Sequence, residues 1–162
     1  MNEARTIARW MVGCLALSMV ACGGLGPRDA QRAALEANRA RWLSQGPSSY
    51  QYALRRSCFC PYLGPVRVTV AADTVVGRVY VESGDPVPEI EADAFPAVDG
   101  LFELLDQAFE NGADDIDVTY DPELGVPIEI SIDYLENAVD DELGIQVTEP
   151  VEPLPVALAS TS

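Results

Sequence analysis

Residues 98–134 read VDGLFELLDQAFENGADDIDVTYDPELGVPIEISIDY, and this stretch decides the fold. In its first part, apolar side chains recur at spacings of three and four, which predicts an amphipathic helix over residues 98–111 with one face in the core. Asp99 stands at the start of this helix and Gly112 just past its end, as helix capping favours. From residue 116 onward the spacing changes to two, which predicts strands.

The two strands of this stretch are predicted over residues 116–120 and 128–134, where apolar and polar side chains alternate. Such alternation is typical of an antiparallel sheet with one buried and one wet face. Residues 121–126 lie between the strands and predict a tight turn, because Pro122 and Gly125 suit a β-turn.

The preceding sequence contains the same order of elements. Residues 29–43 predict a helix that Asp29 caps and that Trp42 docks onto the core. A loop rich in Pro, Asp and Glu is predicted over residues 83–96. Further period-two segments predict strands over residues 50–55, 66–70 and 75–81 and around 145–147.

These elements predict an α+β fold in the order α-βββ-α-βββ. We expect an antiparallel sheet of about six strands with two helices packed on one face. The predicted divisions of the chain are a signal peptide over residues 1–21, a lipid-anchored tether over 22–27, a single α+β domain over 28–149 and a disordered tail over 150–162.

The signal peptide prediction rests on two arginines, Arg5 and Arg9, followed by an apolar run that ends at Cys22. Residues 19–22, Met-Val-Ala-Cys, are similar to a bacterial lipobox, in which the cysteine becomes the lipid-bearing N-terminus. Cys22 is therefore the predicted lipidation site, carrying palmitate or a related chain; an ordinary secreted protein or an uncleaved anchor are the alternatives. The expected location is the extracytoplasmic side of a bacterial membrane. Since Gly23 rather than Asp follows, we expect the outer membrane in a Gram-negative cell.

The amino-acid composition excludes several kinds of catalytic and metal-binding site. The chain has no histidine and no lysine, which excludes histidine acid–base catalysis, histidine metal ligands, Ser-His-Asp triads and lysine Schiff bases. Residues 79–162 contain 22 acidic and no basic residues, so we expect no nucleic-acid partner. This acidic half is interpreted as a solvated surface that folds back on the arginine-bearing half; a surface for a cation or a partner is the alternative.

Cys58 and Cys60 are the pair that remains if Cys22 is acylated. In an exported protein two such cysteines usually oxidise, so a local disulfide between them is predicted. A redox-active pair, a metal site and unpaired thiols are the alternatives.

The acidic loops are a second candidate site. Calcium prefers six to eight oxygen ligands, and loops at one end of a sheet could supply them. No EF-hand spacing is present, and a charge cluster is usually a solvated face. No metal is therefore assigned, and calcium is kept as a hypothesis. The candidate binding residues are Tyr120, Asp121, Asp133, Asp140, Asp141 and Glu142.

The order of several short motifs resembles a known family. They are Tyr50-x-Tyr52, Cys58-Phe59-Cys60-Pro61, Val98-Asp99-Gly100-Leu101-Phe102, Tyr120-Asp121-Pro122, Gly125-x-Pro127, Ile132-Asp133-Tyr134, Asp140-Asp141-Glu142 and Gly144. Over residues 38–149 the chain resembles an uncharacterised bacterial lipoprotein family, domain of unknown function 6174. The resemblance implies a small exported or lipid-anchored domain and supplies no activity.

The sequence thus favours a non-enzymatic, lipid-anchored envelope lipoprotein that binds an envelope protein or another envelope component. The alternatives are a calcium-binding module that uses the acidic loops and a thiol–disulfide protein that uses Cys58 and Cys60.

Overall fold

The computed structural model describes residues 26–58, 64–134 and 142–155. The elements follow one another in the predicted order, with an additional 3-10 helix before the second α-helix. They are α1 (Pro27–Gln45), β1 (Tyr50–Ser57), β2 (Val66–Ala71), β3 (Thr74–Tyr80), the 3-10 helix (Glu89–Ala94), α2 (Val98–Glu110), β4 (Asp115–Tyr120), β5 (Pro127–Asp133) and β6 (Leu143–Pro153).

The six strands form one antiparallel sheet with the order β3-β2-β1-β6-β5-β4. Each run of three consecutive strands is a meander, and the two meanders join where β1, the first strand, pairs with β6, the last. The predicted α+β fold is confirmed. The long-range β1–β6 pairing makes the two halves one sheet with one core.

The core lies between the sheet and the two helices. Alternate residues of β1, Tyr50, Tyr52 and Leu54, are buried, as the period of two predicts. Helix α2 contributes its predicted apolar stripe, including Leu101 and Leu105, which are fully buried. All of these side chains belong to a single hydrophobic cluster, so the helices pack on one face of the sheet and leave the other face wet.

Helix α1 docks onto α2 largely through arginine. The guanidinium groups of Arg28 and Arg32 lie 5.9 and 5.1 Å from the ring centre of Phe109, and that of Arg39 lies 5.4 Å from the ring centre of Phe102. These contacts add to the two buried apolar side chains of α1, Leu35 and Trp42. Trp42 is buried, as predicted, and donates from Nε1 to Asp99 at 3.1 Å.

Helix α1 begins earlier than predicted. Its N-cap is Gly26, Pro27 occupies the first turn, and no side chain caps the helix. Asp29 is therefore not the cap but an acidic residue of the first turn, where it interacts favourably with the helix dipole. Pro27 explains the difference, because proline is well suited to the first helical position.

The predicted tail begins too early. Strand β6 continues to Pro153, and Gln51 and Tyr50 of β1 pair with Glu152 and Pro153. Pro150 is tolerated because it lies at a register shift in the pairing with β1. It also lies beyond the part of β6 that pairs with β5. The predicted loop over residues 83–96 is likewise partly ordered, since it contains the 3-10 helix.

Candidate functional site

A cleft of about 360 Å³ lies where the 3-10 helix and α2 meet the ends of β1 and β6. This volume is near the lower end of the range of small-molecule sites, about 300–1,000 Å³. We call it the Arg56 cleft. The residues that line it are Arg56, Asp93, Ala94, Pro96, Gly100, Glu103, Leu104, Gln107 and Ile145.

Arg56 is the unusual residue of this cleft. It follows Tyr52 and Leu54 in the inward-facing phase of β1 and pairs in register with buried Ile145 of β6. Its Nε is buried and has no hydrogen-bond partner, the single buried side-chain nitrogen or oxygen of this kind among the described residues. A buried polar group without a partner costs about 1–3 kcal/mol, and more when it is charged.

The other arginines in the described part of the chain all have a polar or aromatic partner. Two examples are Arg55, which donates to Gln146, and Arg78, which donates from Nε to the carbonyl of Phe95 at 2.6 Å. The remaining five with partners are Arg28, Arg32, Arg39, Arg41 and Arg67. Arg56 therefore differs from the rest in having a buried Nε without a partner among the described residues.

Helix α2 has three faces, which contact the core, helix α1 and the Arg56 cleft. One face enters the core with Leu101 and Leu105. A second carries Phe102 and Phe109 against α1. The third carries Glu103, Leu104 and Gln107 along the Arg56 cleft. The cleft therefore lies on the side of α2 away from α1.

Residues 95–98 form a wall of the Arg56 cleft, and two tyrosines of β1 fix this wall to the sheet by hydrogen bonds. Tyr52 donates to the carbonyl of Pro96 at 2.6 Å, and the amide of Val98 donates to the hydroxyl of Tyr50 at 3.1 Å. Burial raises the pKa of Tyr50 to about 12 and that of Tyr52 well above its ordinary value. Both hydroxyls thus stay protonated at neutral pH and keep the wall in place.

Gly100 allows α2 to start close to this wall. A Cβ at position 100 would come within 2.6 Å of the Pro96 Cβ, a distance that two carbon atoms do not tolerate. Glycine at this position therefore lets the first turn of α2 lie close to Pro96, which lines the Arg56 cleft.

Sequence reasoning did not identify Arg56. The signal is present in the strand pattern, because the inward positions of β1 run Tyr50, Tyr52, Leu54 and then Arg56. A charged residue in the buried phase of a strand needs either a partner or a function. Recognising it from sequence alone requires knowing that the strand continues to Ser57.

Among the predicted site residues, Asp121 has a structural task. Its Oδ1 accepts from the amides of Glu123 and Leu124 at 3.0 and 2.6 Å, and its backbone brackets the turn through Gly125 and Val126. This confirms the predicted turn and gives Asp121 a role as its organiser.

Asp133 lies far from Asp121. The register pairs Asp133 with Asp115 at one end of the β4–β5 hairpin, whereas Tyr120 pairs with Pro127 at the other. At about 3.3 Å per residue the two carboxylates are separated by about 20 Å. They do not share a site. In the described ranges no three acidic or cysteine side chains are grouped so as to hold a metal ion.

Tyr120 lines a smaller cavity, of about 80 Å³, between α1 and the outer strand β4. Burial raises its pKa to about 12, with Arg39 acting in the opposite direction. Beside it, Gln31 of α1 donates to the carbonyl of Ile116 at 2.8 Å and so covers part of the sheet edge. This cavity is too small for most ligands and is a packing feature.

The other predicted site residues are only partly described. Cys58 is half-buried at the end of β1 and packs against the core, and Glu142 is exposed just before β6. Cys22, Cys60, Asp140 and Asp141 lie outside the described residues, so lipidation of Cys22, the Cys58–Cys60 disulfide and calcium binding by the 140–142 loop stay predictions. No helix in the described ranges is long and apolar enough to cross a membrane.

A family described as one of unknown function, DUF6174, matches residues 34–151. No curated protein and no solved structure matches the chain. The matched range runs from α1 through β6 and contains every residue of the Arg56 cleft. Since it covers most of the sequence, the chain belongs to this family of unknown function, DUF6174.

Proposed function

We propose that this protein is a lipid-anchored, non-enzymatic binding domain of the bacterial envelope, and that the Arg56 cleft receives an anionic group of its partner. The observation that carries the proposal is the buried Nε of Arg56, which has no partner within the described part of the chain. A guanidinium binds carboxylate and phosphate oxygens well because its donors are planar and always charged.

The anchor is supported by sequence. The basic start, the short apolar run and Cys22 followed by two glycines are the form of a lipoprotein signal. The lack of histidine and lysine favours binding over catalysis. The arrangement of the helices agrees with an anchored domain, because α1, which follows the predicted tether, lies on the side of α2 away from the Arg56 cleft. An anchor at Cys22 therefore leaves the cleft accessible.

The anchor is tested in cells that express the full chain. Labelled palmitate is expected in the wild type and in Cys14→Ser, a matched control within the predicted signal, and not in Cys22→Ser. Fractionation is expected to place the first two proteins in the membrane. Equal labelling of Cys22→Ser and the wild type would contradict the anchor.

The binding site is tested by NMR of the side-chain Nε–H groups of arginine, on the mature protein in detergent micelles. Sodium acetate and inorganic phosphate are added as probes, with sodium chloride at equal ionic strength as the control. We expect the Arg56 resonance to shift with saturation and the Arg55 resonance to stay unchanged. Equal shifts of both resonances in acetate, phosphate and chloride would show that Arg56 is not an anion site.

A further inference from the structure

We propose that the ligand of the Arg56 cleft is a small zwitterion, namely a free amino acid or dipeptide with its carboxylate on Arg56 and its ammonium group between Asp93 and Glu103. This inference rests on the proposed function and specifies the ligand of the same site. It follows from the charges that line the cleft, from the lack of an ion pair between them among the described residues and from the size of the cavity.

The Arg56 cleft contains both signs of charge. Arg56 lies on the sheet side, Asp93 is on the 3-10 helix, and Glu103 is on α2. A site for an anion alone would be weakened by two carboxylates on its walls, and a site for a cation alone would be weakened by the arginine. Both groups are accommodated when one ligand carries both charges.

These opposite charges do not neutralise each other. The ion pairs among the described residues are Arg39–Asp106 and Arg67–Glu149, and Arg56 forms none with Asp93 or Glu103 although all three line one cleft. Opposite charges that face a common space without touching leave room for a bridging group. A zwitterion completes both interactions at once.

The rest of the lining sets the size and character of the ligand. Ala94, Pro96, Leu104 and Ile145 supply apolar surface. They suit a small aliphatic side chain of the ligand. A volume of about 360 Å³ has room for one or two amino acid residues and not for a large cofactor.

The cleft is also held open before a ligand arrives. Pro96 is fixed by its hydrogen bond from Tyr52, and Arg78 fixes the preceding carbonyl, that of Phe95. A preformed wall reduces the entropy that binding must overcome. Binding of a small ligand with few contacts is feasible under this condition.

The test is calorimetric titration of the mature protein in micelles with three related compounds. They are the dipeptide Ala-Ala, its N-acetyl form, which lacks the ammonium group, and its C-terminal amide, which lacks the carboxylate. We expect Ala-Ala to bind at least about tenfold more tightly than either blocked form, the loss of one charged contact being worth about that factor.

Variants assign the two charges. Arg56→Gln is expected to remove the preference for the free carboxylate, and Glu103→Gln the preference for the free ammonium group. Arg55→Gln, on the wet face of the same strand, and Glu110→Gln, at the end of α2, are the matched controls and should keep both preferences. Near-ultraviolet circular dichroism and thermal melting verify that each variant is folded.

The outcomes separate this inference from the proposed function. If acetate shifts the Arg56 resonance but Ala-Ala binds no better than its N-acetyl form, the zwitterion is wrong and the anion site stands. If neither acetate, phosphate nor Ala-Ala acts on Arg56, both are wrong. If Ala-Ala binds equally to the wild type and to folded Arg56→Gln, the zwitterion site is not in this cleft.

Discussion

Arg67 of β2 and Glu149 of β6 form a two-pronged ion pair across β1, directly above Ala53. Arg67 donates to Glu149 from Nε at 3.0 Å and from Nη2 at 2.8 Å. Both residues pair in register with Ala53, whose side chain is therefore covered on the wet face and is 0% exposed. The pair joins the two meanders at their seam.

We therefore expect Ala53→Leu to be destabilising even though residue 53 faces away from the core. A leucine must displace the ion pair or distort β1, and overpacking of this kind costs about 1–3 kcal/mol. Thr69→Leu, two residues from Arg67 on β2, is the control and should change stability by less than about 0.5 kcal/mol. Urea unfolding followed by circular dichroism measures both, and equal midpoints for the two variants would refute the prediction.

The ion pair itself contributes less than its geometry suggests. Its side chains are 36% and 40% exposed, so water and salt screen it. A double-mutant cycle with Arg67→Gln and Glu149→Gln is expected to give a coupling energy of about 0.2–1 kcal/mol. In 1 M sodium chloride this coupling should fall, and a coupling that is unchanged by salt would contradict the screening argument.

Gly125 and Gly112 have the same backbone conformation in different surroundings. Both have φ of 75°, which disfavours any side chain. A Cβ at Gly125 would come within 2.4 Å of the carbonyl oxygen of Asn38, whereas a Cβ at Gly112 would meet nothing within 4 Å. Gly112→Ala is thus expected to cost about 1 kcal/mol and Gly125→Ala at least about 2 kcal/mol more.

Thermal melting of the two glycine variants isolates the clash, because the conformational cost is common to both. A shift of several degrees between them is expected for a domain of this size. Similar melting temperatures would mean that α1 moves away from the β4–β5 turn without cost. The comparison therefore also measures how firmly α1 is docked.

The docking of α1 depends on Arg39 more than on Arg32. Arg39 donates to the carbonyl of Phe102, pairs with Asp106 and lies over the Phe102 ring. Arg32 is exposed. Of the three kinds of contact that Arg39 makes, Arg32 makes one among the described residues, namely the contact with the ring of Phe109. We expect Arg39→Ala to destabilise by about 1.5–3 kcal/mol and Arg32→Ala by at most about 1 kcal/mol. Equal effects in urea unfolding would show that the polar contacts of Arg39 contribute nothing.

The sequence predicts the fold well where periodicity alone determines the outcome. The stripe of α2 and the alternation of β1, β2, β4 and β5 place most of the buried residues of these elements correctly, Ala53 being an exception. The boundary of β6 is missed because prolines normally end strands, and only the pairing with β1 shows that Pro150 stands at a register shift. The burial of Trp42 on α1 is predicted correctly, but the arginine contacts of this helix are not, since arginine over an aromatic ring carries no apolar signal.

The candidate site is harder to predict because it is identified by a buried polar group that has no hydrogen-bond partner among the described residues. Asp121 and Asp133 look alike in sequence, yet one organises a turn and the other lies at the far end of the hairpin. Conversely, the sequence shows Arg56 only as a charged residue at an inward position of β1, and the fold shows that its buried Nε has no partner among the described residues. The sequence gives the type of each residue, whereas a binding site depends on which polar groups have no partner in the fold.

The buried hydroxyl of Tyr50 makes the fold sensitive to alkaline pH. Burial raises the pKa of Tyr50 to about 12, while in the unfolded chain it is close to its ordinary value of about 10. Between pH 10 and 12 the unfolded state loses this proton and the folded state keeps it. The stabilising contribution is therefore complete below pH 10 and decreases as pH rises, by on the order of 1 kcal/mol per pH unit. Tyr50→Phe should reduce this dependence and leave the part due to Tyr52 and Tyr120, whose pKa values burial also raises. It should lower stability at pH 8 because the amide of Val98 loses its acceptor. Urea midpoints from pH 8 to 11.5 measure both effects, with Tyr134→Phe as the control. An identical pH profile for the wild type and Tyr50→Phe would show that another group causes the alkaline loss.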